Sequence, residues 1–317
     1  MKIIYGLRGV KRFNKATVLA IGVFDGLHVG HRSILKRAAR QAKRLKLKCV
    51  VLTFYPHPMK LLHPKAPEAS SLISLDHRIR LIEKLGVDAL VILGFSRAIA
   101  DIPAEDFARK ILVGKFNVKE VCVGDNFYFG KGGYAGINEL KTLGRSLGFK
   151  VNILKSIRVG RNIVSSSLIR RLITSGELGK ASKLLGRRVS VLGTVIGGAR
   201  LARELGYPTA NLNPHHEIIP PAGVYAVLVS YRERSYEGIL NIGLRPTFYS
   251  PRDRESAIEV HIFDFKEKIY GHDMEVFFIK KLRDEVTFAG KDELVKQIKK
   301  DEVMARDALK RAKANSS

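Results

Sequence analysis

Two histidines three residues apart, His28 and His31 in "GVFDGLHVGH", stand where the apolar, β-rich run "ATVLAIGVF" gives way to "RSILKRAARQAKRLK", whose apolar residues recur at helical spacing. Residues i and i+3 share one face of a helix, and a helix start offers unpaired N–H groups and the positive end of the dipole. The pair therefore points to an anion, and to phosphate in particular. Alone, H-x-G-H is short enough to arise by chance. It gains weight from "VSSSLIRR" at 164–171, a second cluster of hydroxyls opening a helix, with Ser166 and Ser167 at its start and Arg170 one turn further on. Two phosphate-type helix starts in one domain imply a nucleoside triphosphate clamped between them. The sequence has no G-x-x-x-x-G-K-[ST], which excludes a P-loop.

The elements that must hold these residues follow from hydrophobic rhythm. In the first half, "TVLAIGVF", "CVVLTF", "DALVILGF", "EVCVG" and "KVNIL" read as strands, alternating with helical patterns near 31–46, 76–85, 103–113 and 137–147. This is the pattern of an α/β domain with a doubly wound parallel sheet. Strand ends line the ligand crevice of such a fold, which is where "DGLHVGH", "TFYPHP" and "GDNFYFGKGG" emerge. Past "LGKASKLLGRR", a short helical linker, strands follow one another: "VSVLGTVIG", "GVYAVLVSY", "SYEGILNIG", "AIEVHIFDF" and "MEVFFIKKL". They describe a small antiparallel barrel. A final helix over 291–313 would pack Leu294, Ile298, Met304 and Leu309 on the barrel or on the other domain. The expected domains are 1–185 and 186–317.

Composition narrows the function classes. The 317 residues carry 56 Lys and Arg against 30 Asp and Glu, a net charge of +26. Most of it lies early: residues 1–185 hold 34 basic and 12 acidic side chains, and the stretch Arg32 to Lys48 has eight basic residues and no acidic one. Such a field attracts polyanions, so a basic nucleic-acid-binding protein is the alternative from another class. No helix-turn-helix, zinc-finger or RNP pattern supports it. Attraction of small phosphorylated substrates is the favoured reading, and no nucleic-acid partner is expected. No apolar run has the length of a membrane helix and no signal peptide opens the chain, so a cytoplasmic protein is expected. The two cysteines, Cys49 and Cys122, lie in strand-like runs far from any CxxC pattern and read as buried thiols.

"GVFDGLHVGH" together with "VSSSLIR" resembles the HxGH nucleotidyltransferases, and specifically the adenylyltransferase module of bacterial bifunctional riboflavin kinase/FAD synthetases. The second half is similar, in order and spacing, to the riboflavin kinase barrel of the same family: "GTVIGGARLARELGYPTANLN", "PPAGVYAV", "NIGLRPTF", "IEVHIFDF", "IYGHDMEVFF" and "LRDEVTF". The resemblance spans nearly the whole chain.

It implies two reactions. In the first module FMN attacks ATP to give FAD and pyrophosphate. His28 and His31 would donate to the ATP phosphates, the backbone from Gly22 to Phe24 would approach the nucleotide, and Ser166, Ser167 and Arg170 would hold the phosphates. Asp125, Asn126 and Phe127 match the family's flavin-binding segment, with His57 of "TFYPHP" a weaker candidate beside two prolines. In the barrel, riboflavin is phosphorylated with Mg²⁺ and ATP. Glu259 matches the family's catalytic base, Thr209 and Asn211 its Mg²⁺ ligands, and Gly193, Gly197 and Gly198 give the preceding loop room for nucleotide phosphates. The expected small molecules are ATP, riboflavin, FMN and FAD, without a membrane partner and with a homo-oligomer left open. A single-activity enzyme of the same fold is the runner-up. Two departures from the family pattern stand out: Ala202 replaces a glycine before Arg203, and Ser167 replaces a threonine, keeping its hydroxyl.

Overall fold

The computed structural model describes residues 1–62, 71–197, 207–215, 217–245 and 255–314, and it divides into two compact units, Met1–Ile169 and Arg170–Ser317. In chain order the first unit contains β1 (Lys2–Tyr5), β2 (Thr17–Ile21), α1 (Val29–Leu45), β3 (Lys48–Tyr55), α2 (Pro58–Leu62), α3 (Leu75–Glu83) and β4 (Ala89–Gly94). There follow α4 (Arg97–Ala100), α5 (Ala104–Asp106) running into a π-helical stretch (Phe107–Val113), β5 (Val118–Gly124), α6 (Ile137–Leu147), β6 (Lys150–Leu154) and a small hairpin, β7 (Arg158–Val159) with β8 (Asn162–Ile163).

The six main strands lie in the order β1-β4-β3-β2-β5-β6, and every pair is parallel. Alternation along each strand serves two cores. Val18 and Ala20 turn to the face covered by Ile34, Leu35, Ala38 and Ala42 of α1 and by Ile79 and Ile82 of α3. Leu19 and Ile21 turn to the opposite face, covered by Phe107, Ile111 and Leu112 of the π stretch and Leu140 of α6. Strands buried on both sides read as continuous apolar runs, which is why the sheet was visible in the sequence. The chain lays β2, β3 and β4 in one direction and then returns to place β5 on the other side of β2. In open parallel sheets the ligand crevice lies at such a reversal, beyond the carboxyl ends of the strands that flank it, here β2 and β5. The expected strands and helices of this half all form, and β1 joins them beside β4 as an additional edge strand.

The boundary between the units falls inside α7 (Ser166–Thr174). The linker read from "LGKASKLLGRR" folds as α8 (Leu178–Leu185). Next come β9 (Ser190–Ile196), β10 (Ala210–Asn213), β11 (Gly223–Tyr231), β12 (Arg234–Arg245), β13 (Glu255–Ile262) and β14 (Asp273–Arg283). They close a barrel in the order β10-β13-β12-β11-β14-β9, all pairs antiparallel. Five strands were expected; the sixth, β10, is the short segment "ANLN" that completes the closure.

The last helix, α9 (Lys291–Ala314), packs on β11, β12 and β14. Its buried stripe is Asp301, Ala305, Ala308 and Leu309. Met304, expected to pack inward, is instead 40% exposed. An aspartate takes an inward position because Arg283 of β14 meets it with two N–H groups, Nη2 at 2.8 Å from Oδ2 and Nε at 3.1 Å from Oδ1. Gln297 donates to the same carboxylate at 2.8 Å. Among the described residues no helix is long and apolar enough to cross a membrane.

Candidate active sites

The first site is built at the end of β2. Gly22 lets the chain fold Phe24 back beneath it, since a Cβ on Gly22 would meet the Phe24 ring at 3.0 Å. Phe24 takes a left-handed conformation, φ 53°, and its ring is buried against the edge of His31, centroids 5.5 Å apart. A turn over Asp25–Leu27 then delivers His28 to the N-cap of α1. The two imidazoles stack, with centroids at 3.6 Å and planes 19° apart. His28 Nδ1 accepts from the His31 backbone N–H at 3.3 Å, which leaves Nε2 as the proton-bearing nitrogen of the neutral ring. Burial, then the neighbouring His28 and the Arg78 cation, hold His31 well below the ordinary imidazole range, against a hydrogen bond at the Asp25 backbone. His31 is therefore a neutral N–H donor near pH 7, and it stands with His28 where a phosphate would gain charge as it leaves.

Three groups brace this turn, Asp25 and Arg78 buried and Ser166 half-buried. The Asp25 carboxylate accepts the Leu72 N–H with both oxygens, at 2.9 and 3.0 Å. Arg78, fully buried on α3, donates to the carbonyls of Val23 at 2.9 Å and Phe54 at 3.1 Å, tying together the ends of β2 and β3. Ser166 Oγ donates to the Asp25 carbonyl at 3.1 Å, joining the start of α7 to the same turn. Ser165 caps α7 by accepting the Leu168 N–H at 3.2 Å, while Ser167 is exposed and Arg170 buried. The structure thus brings His28, His31 and Ser166 around one turn. Arg78, Asp25 and Ser165 were missed. The only sequence signal for Ser165 is its place three residues before Leu168 at a helix start; an arginine in an amphipathic helix carries no mark of burial.

The second strand-end segment, after β5, sits next to β2 in the sheet. Asp125 accepts from Ser156 through both its N–H, 2.8 Å, and its Oγ, 2.6 Å. These bonds hold its carboxyl below the usual carboxylate range. Asn126 is exposed; Phe127 is half-buried and stacks on Phe129 at 5.7 Å. His57 Nδ1 accepts the Met59 N–H at 3.2 Å at the start of the short helix α2. Cys49 and Cys122 are free and buried, and burial pushes both thiols up to about 12, so neither is a nucleophile.

In the barrel, Asn211 of β10 and Asn241 of β12 both pair with Glu259 of β13, forming one row across three strands. Thr209, just before β10, lines two cavities. One, of about 360 Å³, is bounded by Thr209, Asn241, Glu259, His261, Arg283 and residues of α9. The other, of about 450 Å³, has Thr209 and Asn211 together with 265–270 on its wall. His261 Nδ1 donates to the Pro208 carbonyl at 2.9 Å, and the ring meets Tyr207 edge-on at 5.5 Å. His261 and the Arg283–Asp301 pair were not singled out in the sequence, although His261 lies two residues from Glu259 and hence on the same strand face. Gly193 lies inside β9 where a Cβ would meet the Asn213 carbonyl at 2.3 Å, so barrel closure alone demands a glycine there. Gly197 ends the strand in open space. Gly198, Ala202 and Arg203 lie outside the described residues.

Comparison with known proteins agrees with this division. A family model for FAD synthetase matches residues 10–168, and one for riboflavin kinase matches 185–309. The bifunctional riboflavin kinase/FMN adenylyltransferase of Escherichia coli K12 is 34% identical over 310 residues, 97% of each chain. That of Buchnera aphidicola from Schizaphis graminum is 35% identical over 95% of this chain and 96% of its own. A crystal structure titled macrolide-efflux protein, from Streptococcus pneumoniae, superposes with a TM-score of 0.84 at 30% identity, over 96% of this chain and 99% of that one.

Proposed function

Since the chain belongs to the bifunctional riboflavin kinase/FMN adenylyltransferase family, converting riboflavin to FMN and FMN to FAD, we propose that the residues gathered at the β2 turn and in the barrel divide these two reactions between them. The observation that carries the division is the row Asn211–Glu259–Asn241, a carboxylate paired across the strands with two amides, Glu259 and Asn241 on the wall of one cavity and Asn211 on that of the other. On this reading the functional boundary follows α8, with 1–185 the transferase and 186–317 the kinase.

At the first site an FMN phosphate oxygen attacks the α-phosphorus of ATP, and the bond to the departing pyrophosphate breaks. The nucleophile is already an anion and needs no base, so the work is alignment and charge stabilisation. His28 and His31 donate to the phosphate oxygens as charge accumulates on pyrophosphate. The backbone of Gly22 to Phe24 lies against the nucleotide; Ser166, Ser167 and Arg170 of α7 add hydroxyls and a positive charge. Asp125, Asn126, Phe127 and His57 contact the flavin.

At the second site the terminal ribityl hydroxyl of riboflavin attacks the γ-phosphorus of ATP and ADP leaves. A neutral hydroxyl is a poor nucleophile, so Glu259 takes its proton. Thr209 and Asn211 offer a hydroxyl and an amide oxygen on one cavity wall. Neutral oxygen donors of this kind fit Mg²⁺ that keeps phosphate and water as its other ligands. When bound, Mg²⁺ would neutralise phosphate charge during transfer. Of the glycines expected at the nucleotide phosphates, Gly193 is taken up by the packing of β9, and Gly197 follows that strand with open space beside it; Gly198 lies outside the described residues. A cytoplasmic location, with its ATP supply, fits this reading.

The test is incubation with riboflavin and ATP, with and without Mg²⁺, followed by chromatography. FMN appearing first and FAD after it is the expected course. Accumulation of FMN alone, or FAD only from supplied FMN, sinks the two-site reading.

A further inference from the structure

Among the polar side chains of the barrel cavity that the two reactions above do not use is His261, which bonds to the backbone beside Thr209. His261 extends the β10–β13 ladder by one rung: Ala210 pairs with Val260, and beyond that pair the His261 ring, not its backbone, reaches across to the Pro208 carbonyl. A carbonyl can only accept, so Nδ1 is the N–H of this 2.9 Å bond. Tyr207 and Phe263 meet the ring edge-on at 5.5 and 5.8 Å and fix its plane.

We propose that His261 is a positioning residue for MgATP in the kinase reaction, acting through the Pro208–Thr209 peptide. The peptide unit is planar, so a donor that holds the Pro208 oxygen also fixes the Thr209 nitrogen and the direction in which its Cα leaves. Proline at 208 restricts the torsion on its own N-terminal side. The rotation left open at this junction turns the carbonyl and the Thr209 hydroxyl together, and His261 stops it. Thr209 stands where the two cavities meet, so a tilt there displaces an oxygen ligand without touching Glu259. This inference rests on the reading of Thr209 as a ligand of the nucleotide-bound cation.

The experiment uses the full chain, measuring FMN formation with MgATP varied at saturating riboflavin and then the reverse. His261→Phe keeps a flat ring against Tyr207 but has no donor. His261→Asn places an amide N–H near the position of Nδ1. Loss of one net hydrogen bond predicts a rise in KM for MgATP of about tenfold in His261→Phe, with KM for riboflavin within about twofold of the parent, and recovery of most of that loss in His261→Asn. Thermal unfolding midpoints are recorded for each variant. A parental KM for MgATP in His261→Phe overturns the proposal, as does His261→Asn failing as badly as His261→Phe, or both substrates weakening in proportion to lost stability. Thr209→Ala separates the two claims. If it weakens MgATP while His261→Phe does not, only the positioning role falls; if it leaves MgATP binding unchanged, the ligand reading fails and the positioning role falls with it.

Discussion

On the proposed reading, the β2 turn and the barrel cavity handle the same cosubstrate with different residue types. At the turn, two imidazoles stack over a helix start braced by buried Asp25 and Arg78. In the cavity a carboxylate stands with the Asn241 amide and the Thr209 hydroxyl. The protonation state of the nucleophile accounts for the contrast. A phosphate arrives ionised and needs only donors for the leaving group, whereas an alcohol must surrender a proton.

The sharpest way to break this comparison is Glu259→Gln, which keeps size and removes the base. FMN formation should fall by roughly 10²- to 10⁴-fold, while FAD formation from supplied FMN persists in the same preparation. Parental kinase turnover where chemistry is rate-limiting would remove Glu259 from the role. The mirror experiment is His28→Ala or His31→Ala: FAD formation should drop by about 10²- to 10³-fold, the scale of a lost transition-state donor, with riboflavin phosphorylation nearly intact. Loss of both activities together would mean that the two regions are not independent.

The parallel sheet, four helices and the location of the histidine pair were legible because they rest on periodicity and local chemistry, and both operate within a few residues. What stayed hidden depends on tertiary partners. Strand β1 is four residues long and mostly exposed, so its pattern is weak, and it exists because β4 offers it an edge. Strand β10 is as short and follows a proline; only barrel closure makes it a strand. Met304, expected inward, is exposed, while Asp301 is buried because Arg283, on another element, pairs with the aspartate. The roles of Ser165 and Arg78 were likewise set by neighbours distant in sequence or by cap geometry.

Two smaller effects sharpen the contrast. Excess positive charge in residues 1–185 should steer anionic FMN and ATP, so kcat/KM of the transferase should decline with ionic strength more steeply than that of the kinase for neutral riboflavin, at fixed free Mg²⁺ and ATP. Equal slopes would assign the charge no part in encounter. The smallest effect concerns His31. Its folded pKa lies below the ordinary 6.5, so the unfolded chain binds the proton first. The stability it contributes is present above about pH 6.5 and is lost as pH falls toward the folded value. Unfolding midpoints from pH 7.5 to 5 should decline less in His31→Asn than in the parent; identical declines would mean that the ring titrates normally.

Closure of β9 onto both β10 and β14 has a consequence for synthesis. Ser190 at the start of β9 bonds to Glu275 of β14, 85 residues later. Until that late strand has left the ribosome, β9 presents one side of its backbone with no partner, and an open strand edge is a template for pairing with another chain. The nascent kinase half is therefore most exposed to misassembly just before β14 emerges. Once closed, the barrel has no edge left to offer, whereas the sheet of the first unit keeps β1 and β6 as outer strands, each short and each beginning with a lysine.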